Sequence, residues 1–350
     1  MINIKLTFDA NFDSFDISQF IGNENFELNG CKFWINQKIE NPDVWFVFEN
    51  LNLLSEKVKI NPKNIIFLSA ETSYNDNHFN KLPKNNFLKQ FGLVYSIYDL
   101  NIPSTKDLPF LPWMINANHG QTIFCSSKRD VDYFLNLEKL NKPKILSVIC
   151  SKKDFTDGHR DRLNFVYKLK EHFDTKLDWY GNDVNRINQK WEGIAPYKYH
   201  IAIENKQKDY LISEKLYDSY LGLSYPFYYG APNVNKYFPE NSYTLIDIKD
   251  IKKSVEIIEE AIYSNIFEKN FEFILKSKDL VCKDYNLFQR LSKVSVDVIN
   301  DKNQFKKNYT LKNLQYFEKK HNKKDLRLRN FYRILKKIFS FMGIKKFNSI

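Results

Sequence analysis

The chain has 350 residues, 43% of them hydrophobic, and a formal charge of +11. That length exceeds what one compact core usually organises and implies two domains of about 150 residues each. Four widely separated cysteines (Cys31, Cys125, Cys150, Cys282) with no C-x-x-C pair, and six histidines with no H-x-x-x-H pair, argue against a zinc or dithiol framework. The 30 Phe and 21 Tyr set against only 10 Gly, with abundant Asn, Lys and Ile, read as a coding bias and carry little functional weight.

Met1 to Phe8 alternates as a strand does, without the basic start and apolar block of a signal peptide. Further strands are expected at Cys31 to Ile35, Asp43 to Phe48, Asn64 to Ser69 and Leu93 to Ile97. The apolar runs Val44-Trp45-Phe46-Val47-Phe48 and Ile65-Ile66-Phe67-Leu68 suit strands of a parallel sheet buried on both faces. Glu71 follows the second run at its carboxyl end, where α/β chemistry usually sits; on position alone it reads as a loop carboxylate. Thr122 to Cys125 is strand-like, and a helix is expected from Arg129 to Leu140. Asp130-Val131-Asp132 formally matches a metal-binding D-x-D, but it opens that helix, where acidic side chains complement the dipole. No metal site is expected.

Lys144 to Ser151 is a new strand after Asn141-Lys142-Pro143, which divides the chain into residues 1–142, 143–310 and a tail, 311–350. A helix from Arg160 to about Phe173 carries Arg162 in its first turn, and the strand Lys176 to Tyr180 follows. Alternating residues ending at Ile203 form the next strand, Ser213 caps a helix, and Tyr225 to Tyr229 is a strand stopped by Gly230 and Pro232. Lys215 stands in the first turn of the capped helix, opposing the dipole by a few tenths of a kcal/mol unless an anion is bound. A helix N-terminus beyond a strand's carboxyl end is a phosphate site. Helices are expected at Asp247 to Ile266 and Phe271 to Val281. From Gln315 onward eleven Lys or Arg face two acids, so +9 of the net +11 belongs to the tail. Within 326–347, Leu328, Phe331, Leu335 and Met342 share one helical side and Arg329, Arg333 and Lys336 the other.

The run Glu204-Asn205, Tyr210, Ser213-Glu214-Lys215, then an aromatic strand and Gly230-Ala231-Pro232, resembles the nucleotide-sugar motif of the family 10 glycosyltransferases, the α-1,3/4-fucosyltransferases. The resemblance covers roughly residues 60 to 290. It implies an enzyme of the GT-B fold, with two Rossmann-like domains facing across a cleft, to which this sequence adds a basic amphipathic C-terminal helix. It also implies inverting transfer of fucose from GDP-fucose to a glycan hydroxyl without a metal cofactor. Ser69-Ala70-Glu71-Thr72-Ser73-Tyr74 matches the family's strand-terminal Glu, which assigns Glu71 as catalytic base. Arg162, with Arg160 as second choice, Asn205, Tyr210, Glu214 and Lys215 match the donor-binding positions. Where many animal members carry Arg-Arg-Asp-Ser-Asp, this chain has Tyr95-Ser96-Ile97-Tyr98-Asp99, so the acceptor does not transfer.

Two other readings follow from the same residues: a family member using a different nucleotide sugar, and a non-catalytic glycan-binding protein associated with membranes. No apolar run reaches the roughly 18 residues that span a bilayer, and a basic amphipathic 326–347 helix suits an anionic membrane surface. The expected place is therefore the cytoplasm, peripheral on the inner face of the cell membrane, with a surface glycan such as lipopolysaccharide, free or lipid-linked, as acceptor. The body shows no basic patch for nucleic acid.

Overall fold

The computed structural model describes residues 1–8, 16–69, 81–117, 129–300 and 305–323. The first sheet comprises β1 (Ile2–Thr7), β2 (Glu27–Leu28), β3 (Cys31–Ile35), β4 (Val44–Phe48), β6 (Ile65–Leu68) and β7 (Leu93–Tyr95), in the order β2-β3-β1-β4-β6-β7. Only the β2–β3 pair is antiparallel. The strand β5 (Ser55–Ile60) stands outside this sheet. The short helices α1 (Ser18–Ile21) and α2 (Leu82–Leu88) accompany this half, and α3 (Val131–Asn136) leads out of it.

The second sheet holds β8 (Lys144–Ile149), β9 (Leu177–Tyr180), β10 (Tyr197–Ile203), β11 (Tyr225–Tyr229) and β12 (Thr244–Leu245), all parallel, in the order β9-β8-β10-β11-β12. Its strands are connected through α4 (Asp157–Phe173), α5 (Lys190–Ile194) and α6 (Glu214–Leu221), and α7 (Ile251–Tyr263), α8 (Ile266–Lys269) and α9 (Phe271–Lys283) follow β12. This is the doubly wound order 2-1-3-4-5, whose switch point lies between its first and third strands. The parallel strands of the first sheet have the same order. Each half is thus Rossmann-like.

The two halves share apolar packing. Phe20 of α1 packs at a tilt against Trp113 at 4.5 Å and approaches Phe288 at 5.9 Å, and Phe288 meets Phe33 of β3 edge-on. Phe288 belongs to α10 (Leu287–Ile299), which follows the second sheet in sequence but packs on β1, β2 and β4. The chain then enters β13 (Lys307–Lys312), antiparallel to β5, with Leu311 buried beside Val58 and Ile60. A C-terminal unit ending at residue 310 would cut this strand, because its hydrogen-bond partner lies in the first half. The 326–347 helix expected in the tail lies outside the described residues.

Three helices differ from expectation: α7 spans Ile251–Tyr263 rather than Asp247 to Ile266, since the Asp250 side chain caps it, and the other two lie earlier in the chain. The first, α3, ends at Asn136 rather than Leu140, since Leu137 is already extended. The second, α4, begins at Asp157, three residues early: the Thr156 side chain caps it by accepting the His159 N–H. Gly158 looks like loop but is a packing requirement, for a Cβ there would stand 1.9 Å from the Asn205 carbonyl oxygen.

Candidate functional site

The switch point of the second sheet, where β8 and β10 end side by side, is where the expected donor residues gather. Glu204 follows β10 and is fully buried. Its carboxylate accepts from the Ser213 N–H at 2.9 Å and the Ser213 hydroxyl at 2.6 Å, fixing the start of α6. A buried carboxylate needs a cation, and Lys215 supplies it: Nζ lies 3.2 Å from Glu204, 3.1 Å from Glu214 and 3.1 Å from the Ser213 hydroxyl. Lys215 is therefore held over the N-terminus of its own helix, the end that favours anions.

Arg162 reaches the same place from α4. It lies in the second turn of that helix, not the first, and shares the stripe of Phe165, Val166 and Leu169 that packs on the sheet. This turns the guanidinium inward, 8% exposed, where Nη1 donates to Asn205 Oδ1 at 2.7 Å. Among the described residues its buried Nε has no hydrogen-bond partner. An unpaired donor on a buried cation is costly, and a bound anion would satisfy it. Arg160, on the opposite side of α4, is half-exposed and pairs with Asp157.

Arg162, Asn205, Glu214 and Lys215 line one cavity of about 320 Å³, together with Lys153, Lys190, His200 and Asp218. Four cations thus face two lining carboxylates. Lys190 of α5 reaches Asp218 at 3.2 Å and Glu214 at 3.8 Å. Burial works against ionised Glu214, yet Lys215 and Lys190 hold its pKa down at about 2. For Lys215 burial is again the opposing effect, and Glu204 with Glu214 raises the pKa net. Asp218 is dominated by burial, which lifts its carboxyl to about 6 although Lys190 pulls the other way. The arrangement can neutralise and hold a dianionic group.

Tyr210 does not line this cavity. It sits in the loop before α6 at φ +69°, donates its N–H to Asn233 Oδ1 at 2.9 Å, and packs its ring against Tyr237. Glu71, the expected base, lies outside the described residues, as do Thr122 to Cys125. Asp130 of the D-x-D caps α3, accepting the Tyr133 N–H at 2.8 Å. Among the described residues no group of three His, Cys, Asp or Glu side chains could hold a metal ion. Sequence reasoning missed Lys190, His200 and Asp218; only Asp218 left a signal, one helical turn beyond Glu214.

Residues 140–262, containing this entire cavity, match the family model described as the C-terminal region of glycosyltransferase family 10 (fucosyltransferase). Over that span the chain is similar to glycosyltransferase family 10. Consistent with that family, an α-(1,3)-fucosyltransferase, FucT, of Helicobacter pylori is 30% identical over 73 residues, a match covering 21% of this chain and 15% of that protein. Crystal structures of an α1,3-fucosyltransferase with GDP and with GDP-fucose each superpose with a TM-score of 0.50 at 16% identity, over 87% of this chain and 92% of that one. Likeness at that identity speaks for the fold: the chain adopts the GT-B arrangement of two Rossmann-like units. In that frame the residues similar to family 10 belong to the second unit and contain its switch-point cavity.

Proposed function

We propose that this protein is an inverting glycosyltransferase that moves fucose from GDP-fucose to a hydroxyl of a glycan. The observation that carries the reading is the convergence of Arg162, Lys215 and the capped α6 N-terminus on one cavity within the residues similar to family 10. In the reaction the C–O bond from the anomeric carbon to the β-phosphate breaks as the acceptor oxygen attacks from the opposite face. GDP leaves with growing negative charge, and fixed cations that strengthen their hold as charge develops lower the barrier. Arg162 offers an unpaired N–H for this, and Lys215 a charge already fixed by two carboxylates. These cations take the role that a divalent ion plays elsewhere, so turnover should survive a chelator. Asn205 and Glu214 are assigned to the nucleotide's ribose and phosphates. Tyr210, which does not line the cavity, is assigned with them to the nucleotide by its matching position in the motif.

Glu71 is proposed to take the acceptor proton, which requires a carboxylate within about 3 Å of the attacking hydroxyl. Glu71→Gln should abolish transfer while GDP still binds; near-normal turnover of that variant would contradict the base assignment. The second reading, a different nucleotide sugar, stays open because the cavity residues select a nucleoside diphosphate and not the methyl group of fucose. Incubation with GDP-fucose, GDP-mannose and UDP-sugars, with product mass as readout, separates the two. The acceptor is proposed to be a surface glycan, lipid-linked in keeping with the basic 326–347 segment, which binds anionic membrane. No helix among the described residues is long and apolar enough to cross a bilayer.

A further inference from the structure

The switch-point cavity extends from the strand ends to His200, which the diphosphate chemistry leaves unused. His200 stands three residues before the end of β10, about 10 Å down the strand at 3.3 Å per residue. That depth is comparable with the reach from a nucleotide's 5′-phosphates to the far edge of its base. Nucleotide phosphates held at the rim by Arg162 and Lys215 would therefore place the base beside His200.

The ring is 4% exposed and lines the cavity. Its Nδ1 lies 2.8 Å from the hydroxyl of Ser147, which is fully buried on the adjacent strand. Among the described residues that hydroxyl has no other hydrogen bond, and Nε2 has none at all. A buried hydroxyl with a single partner satisfies its hydrogen only by donating to it. Ser147 therefore donates, Nδ1 accepts, and the proton of the neutral ring sits on Nε2, presented to the cavity as an N–H. Burial first, then the charges of Lys190 and Lys142, push the imidazole pKa down to about 3, so the donor is uncharged at neutral pH. Asp218 lines the same cavity. Its Oδ1 accepts the Met114 N–H and its Oδ2 faces Lys190, which leaves lone pairs for another donor.

We propose that His200 is a specificity-determining residue for the nucleobase: Nε2–H donates to a keto oxygen, and Asp218 accepts the ring N–H beside it. Guanine presents that pair, and so does uracil. Adenine and cytosine carry an amino group at the keto position and would set donor against donor. The inference rests on the donor-site reading above and deepens it.

Calorimetric titration of the full chain with GDP, UDP, ADP and pyrophosphate tests it, using wild type, His200→Gln, and the double variant Ser147→Ala/His200→Leu. The double variant removes both partners, so neither is left buried and unpaired. It should bind GDP about tenfold more weakly, the effect of one lost hydrogen bond, with pyrophosphate unchanged and the preference for GDP over ADP reduced by the same factor. His200→Gln, which retains an N–H, should keep most of the preference. UDP binding as well as GDP identifies uracil as a second accepted base, still with discrimination against ADP. Equal losses for GDP and pyrophosphate, or unchanged GDP affinity, would overturn the proposal. Should the double variant not fold, His200→Asn takes its place with the same expected loss. A wild-type chain that ignores GDP altogether would instead remove the donor-site reading beneath it.

Discussion

Glu214 and Asp218 are four residues apart on one helix face, and their surroundings drive them in opposite directions. Folding lowers the Glu214 pKa from 4.5 to about 2, so its contribution to stability is present above pH 4.5 and lost as pH falls toward 2. Folding raises the Asp218 pKa from 3.8 to about 6, so its contribution is full below 3.8 and lost as pH rises through 6. The unfolding free energy of wild type minus that of Asp218→Asn should therefore fall between about pH 4 and 6 in urea titrations. The same difference against Glu214→Gln should rise between about pH 2 and 4.5. Two curves of the same sign would contradict the assignment of burial to one carboxyl and ion pairing to the other. These residues also mark a limit of the sequence. Glu214 and Lys215 announce themselves beside the Ser213 cap, whereas His200 in an apolar strand differs from an ordinary core residue only once Ser147 is seen opposite it.

At the scale of elements, the contact that builds the site is α4 against the end of β10. It depends on Gly158, whose missing side chain lets the Asn205 carbonyl approach. Gly158→Ala must move one backbone past the other, at about 1 to 3 kcal/mol as for other overpacked sites. Because Arg162 rides on the same helix, the variant should also lose most of the thermal stabilisation by GDP; unaltered GDP stabilisation would show that α4 does not position the arginine. The β10, α6, β11 unit was legible because its caps and stop signals are local. The apolar stripe of α4 also favours Arg162 over Arg160 once the helix start is known. The five residues of α5 are too few for a periodic pattern, which hid Lys190. Gly158 itself hid the true start of α4, since a glycine beside an aspartate reads as a turn.

Over the whole molecule, the chain returns from the second Rossmann-like unit to the first through α10 and β13. The strand β5 buries only Val58 and Ile60 and β13 only Leu311, too few apolar positions to reveal a partner some 250 residues away. Leu311→Ala removes the buried residue that seats β13 and should cost about 2 to 5 kcal/mol, the range for such truncations; urea denaturation measures it, and a cost near zero would mean that β13 is not anchored there. With the two units tied in this way, the cavity at the second sheet's switch point lies on a GT-B frame, and the account stands on that cavity gripping a diphosphate. Calorimetric titration of GDP into wild type, Arg162→Ala and Lys215→Ala tests this most directly. A charge-assisted contact is worth about 1.5 to 3 kcal/mol, so each substitution should weaken GDP by roughly 10- to 100-fold while guanosine affinity stays near the wild-type value. GDP affinity unchanged in both variants, or guanosine affected as strongly as GDP, would contradict it.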